Sequence, residues 1–263
     1  MNPHKTVGQD DAVDWRSYAA VYDLMAEINP AYQDLVNDYR RFVLQQWLHP
    51  EDLLLELGAG TGNFSLVAAD EWPECRVLHV DASEAMNAEA RRKRDALGLT
   101  NIEIRTQDIT HLDLPDESAT VITAVHALYA FPDPRSVIRD MFRWLRPGGT
   151  VFACDPGRPL DMREWTRYLF QSSRAERGLW RSVRLFWRCR EVAAQNRRIA
   201  RSQQDGSYWR HDASSFAQAF TDAGFDVDHC RGAYRGASDL LVARKAVAVA
   251  PLHLRQETVR APL

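Results

Sequence analysis

An apolar run, Leu53-Leu54-Leu55, passes through Glu56-Leu57 into Gly58-Ala59-Gly60-Thr61-Gly62-Asn63, three glycines at alternate positions just after an acid. Glycine carries no Cβ and reaches positive φ without strain, so a ligand can lie directly against the main chain of such a loop. A helix beginning near Thr61 would add unpaired N–H groups aimed at the same ligand. The chemistry this spacing permits is backbone recognition of a polar cofactor. A second acid, Asp81, closes the apolar stretch Val77-Leu78-His79-Val80, 19 positions after Gly62. A carboxylate at a strand tip can accept from both hydroxyls of a ribose, a charge-assisted contact. A dinucleotide fingerprint needs its third glycine at position 63, where this chain has Asn63, so NAD is disfavoured.

The elements that must position these groups follow from the apolar runs. Residues 53–57, 77–81, 102–106, 119–125 and 150–155 read as strands with helical stretches between them. Such alternation implies a parallel sheet covered on both faces. Gln107-Asp108-Ile109 would then follow the third strand, and His126-Ala127-Leu128-Tyr129 the fourth. Leu145-Arg146-Pro147-Gly148-Gly149 reads as a helix exit and tight turn before the fifth. A chain of 263 residues with 45% apolar content can hold one such domain with added elements.

In this order, Glu56-x-Gly58-x-Gly60-x-Gly62, Asp81, Asp108-Ile109, the strand ending at His126 and the Pro147-Gly148-Gly149 turn resemble the motifs of the class I S-adenosylmethionine (SAM) dependent methyltransferases, over about residues 50 to 156. The resemblance implies an α/β, Rossmann-like, doubly wound sheet of seven mostly parallel strands with an antiparallel last strand. N-terminal helices and a helical insertion after strand five would complete it. It also implies SAM as cofactor, with Asp81 on the ribose, Asp108 accepting from the adenine amine and Ile109 covering the ring. Glu56, Gly58, Gly60, Gly62 and Asn63 would form the loop against the cofactor. Ala82, Met86 and His126 complete the expected cofactor contacts.

Outside this core, apolar residues at helical spacing (Val36, Tyr39, Phe42, Val43, Trp47) mark N-terminal helices over residues 14–26 and 30–48. The Tyr18-x-x-x-Tyr22-Asp23 pattern resembles the small-molecule branch, ubiquinone and menaquinone methyltransferases among it, where an aromatic hydroxyl faces cofactor or substrate. Tyr18 and Tyr22 also fit an aromatic helix face packed on the core. Between Gly157 and Arg210, thirteen arginines stand against five acids, a local balance of +8 in a chain of net charge −3, with tryptophan, tyrosine and phenylalanine interleaved. One reading is a helical lid with solvated arginines and core aromatics. The others are contact with an anionic or aromatic substrate, with an acidic carrier protein, or with a membrane surface. Residues 212–225 read as a capped helix ending at glycine, followed by a scaffold hairpin over 226–232 and 238–245. The expected layout is one domain, 1–263: an N-terminal helical lid over 1–50, a SAM-binding core over 51–156, a substrate lid over 157–211, a helix and hairpin over 212–245, and a tail over 246–263.

The resemblance implies in-line displacement of the SAM methyl by an oxygen, nitrogen or carbon nucleophile of a small molecule. His126 is the foremost candidate base, since imidazole ionises near neutral pH, at about 6.5. A histidine merely satisfied at a strand end is the competing reading. Tyr18, Tyr22 and Tyr129 follow as catalytic candidates, and His211 is a more distant one. The Asn/Asp-Pro-Pro-aromatic motif of base methylation is absent after strand four and the net charge is negative, so no nucleic acid is expected. His126-Ala127-Leu128 offers no acids for magnesium, so no metal is expected. The same fold also serves SAM-consuming enzymes that alkylate or cyclise without methyl transfer, transfer aminopropyl groups, or bind SAM as non-catalytic subunits. No run reaches the length needed to span a bilayer and Met1 to Asp14 lacks an apolar signal core, so a cytoplasmic protein is expected, able to pair as a homodimer. Cys75, Cys154, Cys189 and Cys230 form no close pair and are expected as thiols.

Overall fold

The computed structural model describes residues 13–45 and 48–247. The expectations for Trp47, for the extreme N-terminus and for most of the tail lie outside them. The strands are β1 (Leu53–Leu57), β2 (Arg76–Asp81), β3 (Ile102–Thr106), β4 (Ala119–Val125), β5 (Leu145–Asp155), β6 (Asp226–Ala233) and β7 (Ser238–Arg244). They form one sheet in the order β3-β2-β1-β4-β5-β7-β6. Pairings from β3 across to β5 are parallel, and β7 runs antiparallel to both of its neighbours.

The central strand β4, Ala-Thr-Val-Ile-Thr-Ala-Val, is buried at every position, as a strand covered on both faces must be. Adjacent residues feed opposite cores because strand side chains alternate. Leu54 and Val121 join Tyr39, Val43, Phe64 and Phe152 on one face. Leu55 and Ile122 join Ile138, Met141, Trp144 and Phe216 on the other. The covering helices α3 (Ser65–Glu71), α4 (Glu84–Leu97), α5 (Pro134–Trp144) and α9 (Ala213–Asp222) have local start and stop signals. Ser83 caps α4 through Met86 N, and Gly98 at φ 68° ends it. Asp212 and Ser215 make a reciprocal capping box for α9.

At the N-terminal side lie α1 (Trp15–Ile28) and α2 (Pro30–Tyr39), the latter running into a π-helical turn, Arg40–Leu44, so the helix stops short of residue 48. The insertion holds α6 (Met162–Arg177), α7 (Leu179–Arg188) and α8 (Arg190–Gln204). The largest difference in a strand boundary is at β5, which starts at Leu145, not residue 150. Pairing jumps from Ala119–Leu145 to Val121–Thr150. The Gly148 turn, φ 79°, is held on the end of β7 by Gly148 N–H to Lys245 O (2.7 Å) and Lys245 N–H to Gly149 O (3.1 Å). The helix exit is thereby drawn into the strand.

From β1 the chain steps outward to β2 and β3, then returns to place β4 on the other side of β1. That reversal opens a crevice at the carboxyl ends of β1 and β4, where ligands of doubly wound sheets bind.

Candidate active site

A cavity of about 380 Å³ lies at that crevice, within the range of small-ligand sites. Gly58, Gly60 and Asn63 line it from the loop after β1. Asp81, Ala82 and Met86 line it from the end of β2 and from α4, Asp108 and Ile109 from the end of β3, and His126 and Tyr129 from the end of β4. Tyr18 and Tyr22 of α1 and Glu56 are also in the lining. Gly62 is not: its φ is 85°, and a Cβ there would meet Leu66 Cδ1 at 3.1 Å, so it serves loop packing.

The loop glycines differ in what requires them. Gly58 and Gly60 have φ of 60° and 56°. A Cβ on Gly58 would stand 2.6 Å from Ala127 Cβ, whereas a Cβ on Gly60 would meet nothing within 4 Å. Gly60 is therefore the bare stretch of main chain that a ligand can touch.

Helix α3 begins at Ser65, later than the start expected near Thr61, and the acid of the motif, not its N-cap residue Phe64, accepts from its first N–H. Glu56 Oε2 accepts from Ser65 N–H at 2.7 Å. Ser65 Oγ lies 2.8 Å from His79 Nδ1, and His79 Nε2 lies 2.9 Å from Asn87 Oδ1. Asn87 Nδ2 donates to the Asp81 carbonyl at 2.9 Å. A buried polar chain thus runs from β1 through α3 and β2 to α4. Burial pushes the Glu56 carboxyl up to about 8 and the His79 imidazole down to about 4. Both groups are then neutral at pH 7, which suits their burial.

Asp81 holds both walls of the cofactor loop: Oδ2 accepts from Gly60 N–H (2.8 Å) and Oδ1 from Ser83 N–H (2.7 Å). Burial raises its pKa against the two amides. Asp108 caps a short 3₁₀ turn through Thr110 N–H at 2.8 Å, and that bond keeps its carboxyl below the usual range. Asn63 Nδ2 donates to Tyr32 Oη (3.2 Å), and Lys93 Nζ donates to Asn63 Oδ1 (2.9 Å). Thr61 Oγ1 donates to Asp23 Oδ1 at 2.6 Å, joining α1 to the loop.

His126 sits at φ 51°, a left-handed conformation uncommon outside glycine and asparagine. Its N–H donates to Cys154 O at 2.7 Å, its Nε2 lies 3.2 Å from Ser238 Oγ, and its ring meets Tyr234 edge-on at 4.8 Å between centroids. Burial lowers its pKa to about 4, which corrects the expected ionisation near neutral pH. The phenols of Tyr18, Tyr22 and Tyr129 move the other way, Tyr22 to about 12, all by burial. At neutral pH they are donors and not bases. Tyr18 Oη donates to Asn196 Oδ1 of α8 at 2.8 Å and its ring packs edge-on against Tyr22, so Tyr18 both lines the cavity and packs in a core.

The insertion touches the cavity through Leu160 and through Asn196, Ile199, Ala200 and Gln203 of α8. None of its thirteen arginines is in the lining. Arg163, Arg167 and Arg174 are exposed on α6. Among the described residues, the charged groups of the lining at pH 7 are Asp81 and Asp108, beside the neutral carboxyl of Glu56, with no lysine or arginine. Such a surface complements a cation and opposes an anion.

His211 lies outside the cavity, buried between two carboxylates: Nδ1 is 3.1 Å from Asp239 Oδ2 and Nε2 is 3.6 Å from Asp155 Oδ2. Arg158 closes a bidentate pair with Asp239 at 3.0 and 2.8 Å. His211 N–H donates to Gly157 O at 3.2 Å, so the two ends of the insertion meet. Sequence reasoning missed Tyr32, Asn196, Gln203, Tyr234 and Ser238. The last two correct the view of the C-terminal hairpin as scaffold alone, since its turn brings both into the lining.

Comparison with known proteins agrees with this geometry. Residues 54–149 match the methyltransferase domain family. A demethylmenaquinone methyltransferase from Listeria welshimeri is 30% identical over 150 residues, covering 53% of this chain; the chain spans 63% of that relative's length. The fold is shared with a SAM dependent methyltransferase from Aquifex aeolicus, at TM-score 0.58 and 15% identity over 88% of this chain and 98% of that one. It is also shared with the [4+2]-cyclase SpnF, at TM-score 0.51 and 19% identity over 88% and 94%. Residues 54–149 thus carry a methyltransferase domain, and the chain has the fold of SAM-dependent methyltransferases.

Proposed function

We propose that this protein methylates a small, uncharged acceptor that is largely apolar, held between the cofactor loop and helices α1 and α8. The observation that carries the reading is the lining itself: two carboxylates, the neutral Glu56 carboxyl, tyrosine rings and aliphatic side chains, with no lysine or arginine among the described residues. The residues fit SAM. Asp81 would hold the ribose, Asp108 and Ile109 the adenine, and the bare Gly60 main chain the edge of the ligand, while the carboxylates offset its positive charge. When bound, SAM supplies a methyl group on a positively charged sulfur.

The chain's part is positioning. Tyr18 and Asn196 hold α1 against α8 across the cavity and exclude water from it, which keeps an acceptor aligned for attack. With the proton of its neutral ring on Nε2 toward Ser238, His126 has Nδ1 as its basic nitrogen and receives the proton an acceptor hydroxyl gives up as its oxygen gains the methyl. A base of pKa about 4 is weak, so it acts late, once methyl transfer has made that proton acidic. His126→Ala should therefore lower turnover by about 10- to 100-fold and leave cofactor affinity unchanged. The wild-type rate should be flat in this group between pH 6 and 8 and fall as pH drops toward about 4. The same shift makes protonation of the unfolded chain destabilising from about pH 6.5 downward. A rate that instead rises through an ionisation near 7 would return the proton-accepting role to another group.

The function test is product analysis with SAM and a panel of phenolic, quinol and amine acceptors. S-adenosylhomocysteine with methylated acceptor is the expected result. Methylthioadenosine would replace the reading with alkylation or aminopropyl transfer, and tight SAM binding without product would make the chain a binding subunit.

A further inference from the structure

Helix α7, Leu-Trp-Arg-Ser-Val-Arg-Leu-Phe-Trp-Arg, carries an apolar face turned to solvent. At about 100° per residue, Leu179, Val183, Trp187 and Trp180 fall in that order across one arc, and Arg184, Arg188 and Arg181 fall across the next. Trp180 is 83% exposed, Trp187 67%, Val183 46% and Leu179 44%. The three arginines are exposed as well. The remaining arc anchors the helix: Ser182 Oγ is 2.9 Å from Ser173 Oγ of α6, and Phe186 packs edge-on against Phe170 at 5.2 Å. The face is therefore fixed in its outward orientation by contacts on its far side.

Two indoles and two aliphatic side chains left in water forgo the stabilisation that burying their apolar surface would recover. The occupant must be apolar where the tryptophans point and anionic beside them. A second copy of this chain fits poorly, because it would bring two sets of three guanidinium groups together. A bilayer with anionic headgroups meets both demands, since tryptophan favours the headgroup level and arginine pairs with lipid phosphate. Among the described residues no helix is long and apolar enough to cross a membrane, and a helix of this pattern lies in the interface plane.

We propose that α7 is an interfacial helix that seats this protein on anionic lipid bilayers. Leu179, Trp180, Val183 and Trp187 enter the headgroup boundary, and Arg181, Arg184 and Arg188 contact phosphate. Phe186, on the anchored side, belongs to the same apolar cluster as Leu160 and Tyr234, which line the cavity. The proposal stands apart from the methyl-transfer reading, because its test needs no turnover.

The test is flotation of the full chain with phosphatidylcholine vesicles and with vesicles containing phosphatidylglycerol. Partitioning should be about 10-fold stronger to the anionic vesicles and should weaken in high salt. Trp180→Ala with Trp187→Ala, and separately Arg181→Glu with Arg184→Glu, should each cut it by about 10-fold while melting temperature and S-adenosylhomocysteine affinity stay at wild-type values. Equal, weak flotation with both vesicle types overturns the proposal. So does wild-type flotation of both variants. Loss of a dimer by the tryptophan variant in sedimentation, without vesicle binding by the wild type, would assign the face to a second copy, and binding to an acidic protein without vesicle binding would assign it to that partner.

Discussion

Asp81→Ala should weaken binding of S-adenosylhomocysteine by about 2 to 4 kcal/mol, a factor of about 30 to 1000 in Kd. Two losses coincide in this one substitution. The proposed acceptor of the ribose hydroxyls is removed, and the Gly60 and Ser83 amides, now fixed at 2.8 and 2.7 Å from the carboxylate, lose the partner that shapes the loop. Asp81→Asn keeps one acceptor oxygen and should fall between the alanine variant and the wild type. Because burial raises the Asp81 carboxyl, wild-type affinity should also decline as pH falls into the acid range, where the carboxylate takes up its proton. Calorimetry giving an alanine variant within about 3-fold of wild type would remove Asp81 from the ribose, since 3-fold is well under the 2 kcal/mol such a loss entails.

Gly157→Ala should lower stability by about 3 kcal/mol, or about 6 to 12 °C in melting temperature, although the residue touches no ligand. A Cβ there would stand 2.2 Å from the His211 carbonyl oxygen and 2.6 Å from His211 Nδ1. The imidazole cannot retreat, because Asp155 and Asp239 flank it and Phe216 stacks on its face at 4.4 Å between centroids. Nor can the backbone yield without breaking the His211 N–H bond to Gly157 O. A thermal melt within about a degree of wild type would mean the pinch relaxes more easily than this packing allows.

The sheet was readable from sequence because a buried parallel strand is a near-continuous apolar run, as in 119–125, which is β4, and because the edge strand β3, residues 102–106, alternates Ile-Glu-Ile. The loop after β1 was readable as a turn because its glycines, Gly58, Gly60 and Gly62, all take the positive φ their spacing suggested. What escaped was set by contacts distant in sequence. The start of α3 depends on Glu56 reaching Ser65 from the preceding strand, a cap that no local helix signal encodes. The basicity of His126 depends on burial beneath Tyr234, more than a hundred residues away, so an isolated imidazole was a poor guide. The arginine-rich insertion was conspicuous in composition, yet composition does not tell which arc of a helix faces inward. It is α8, through uncharged Asn196, Ile199, Ala200 and Gln203, that meets the cavity.

The meeting of Gly157 and His211 makes residues 158–210 an excursion that leaves the sheet and rejoins it at one place. Closing such a loop is the scaffold's task, and the entropic cost of a longer or shorter one varies only slowly with its length. Descent with modification can therefore exchange the roof as a cassette while the cofactor floor is inherited unchanged. The side chains of α1 that meet α8, Tyr18 foremost, are the part of the floor that must change with it.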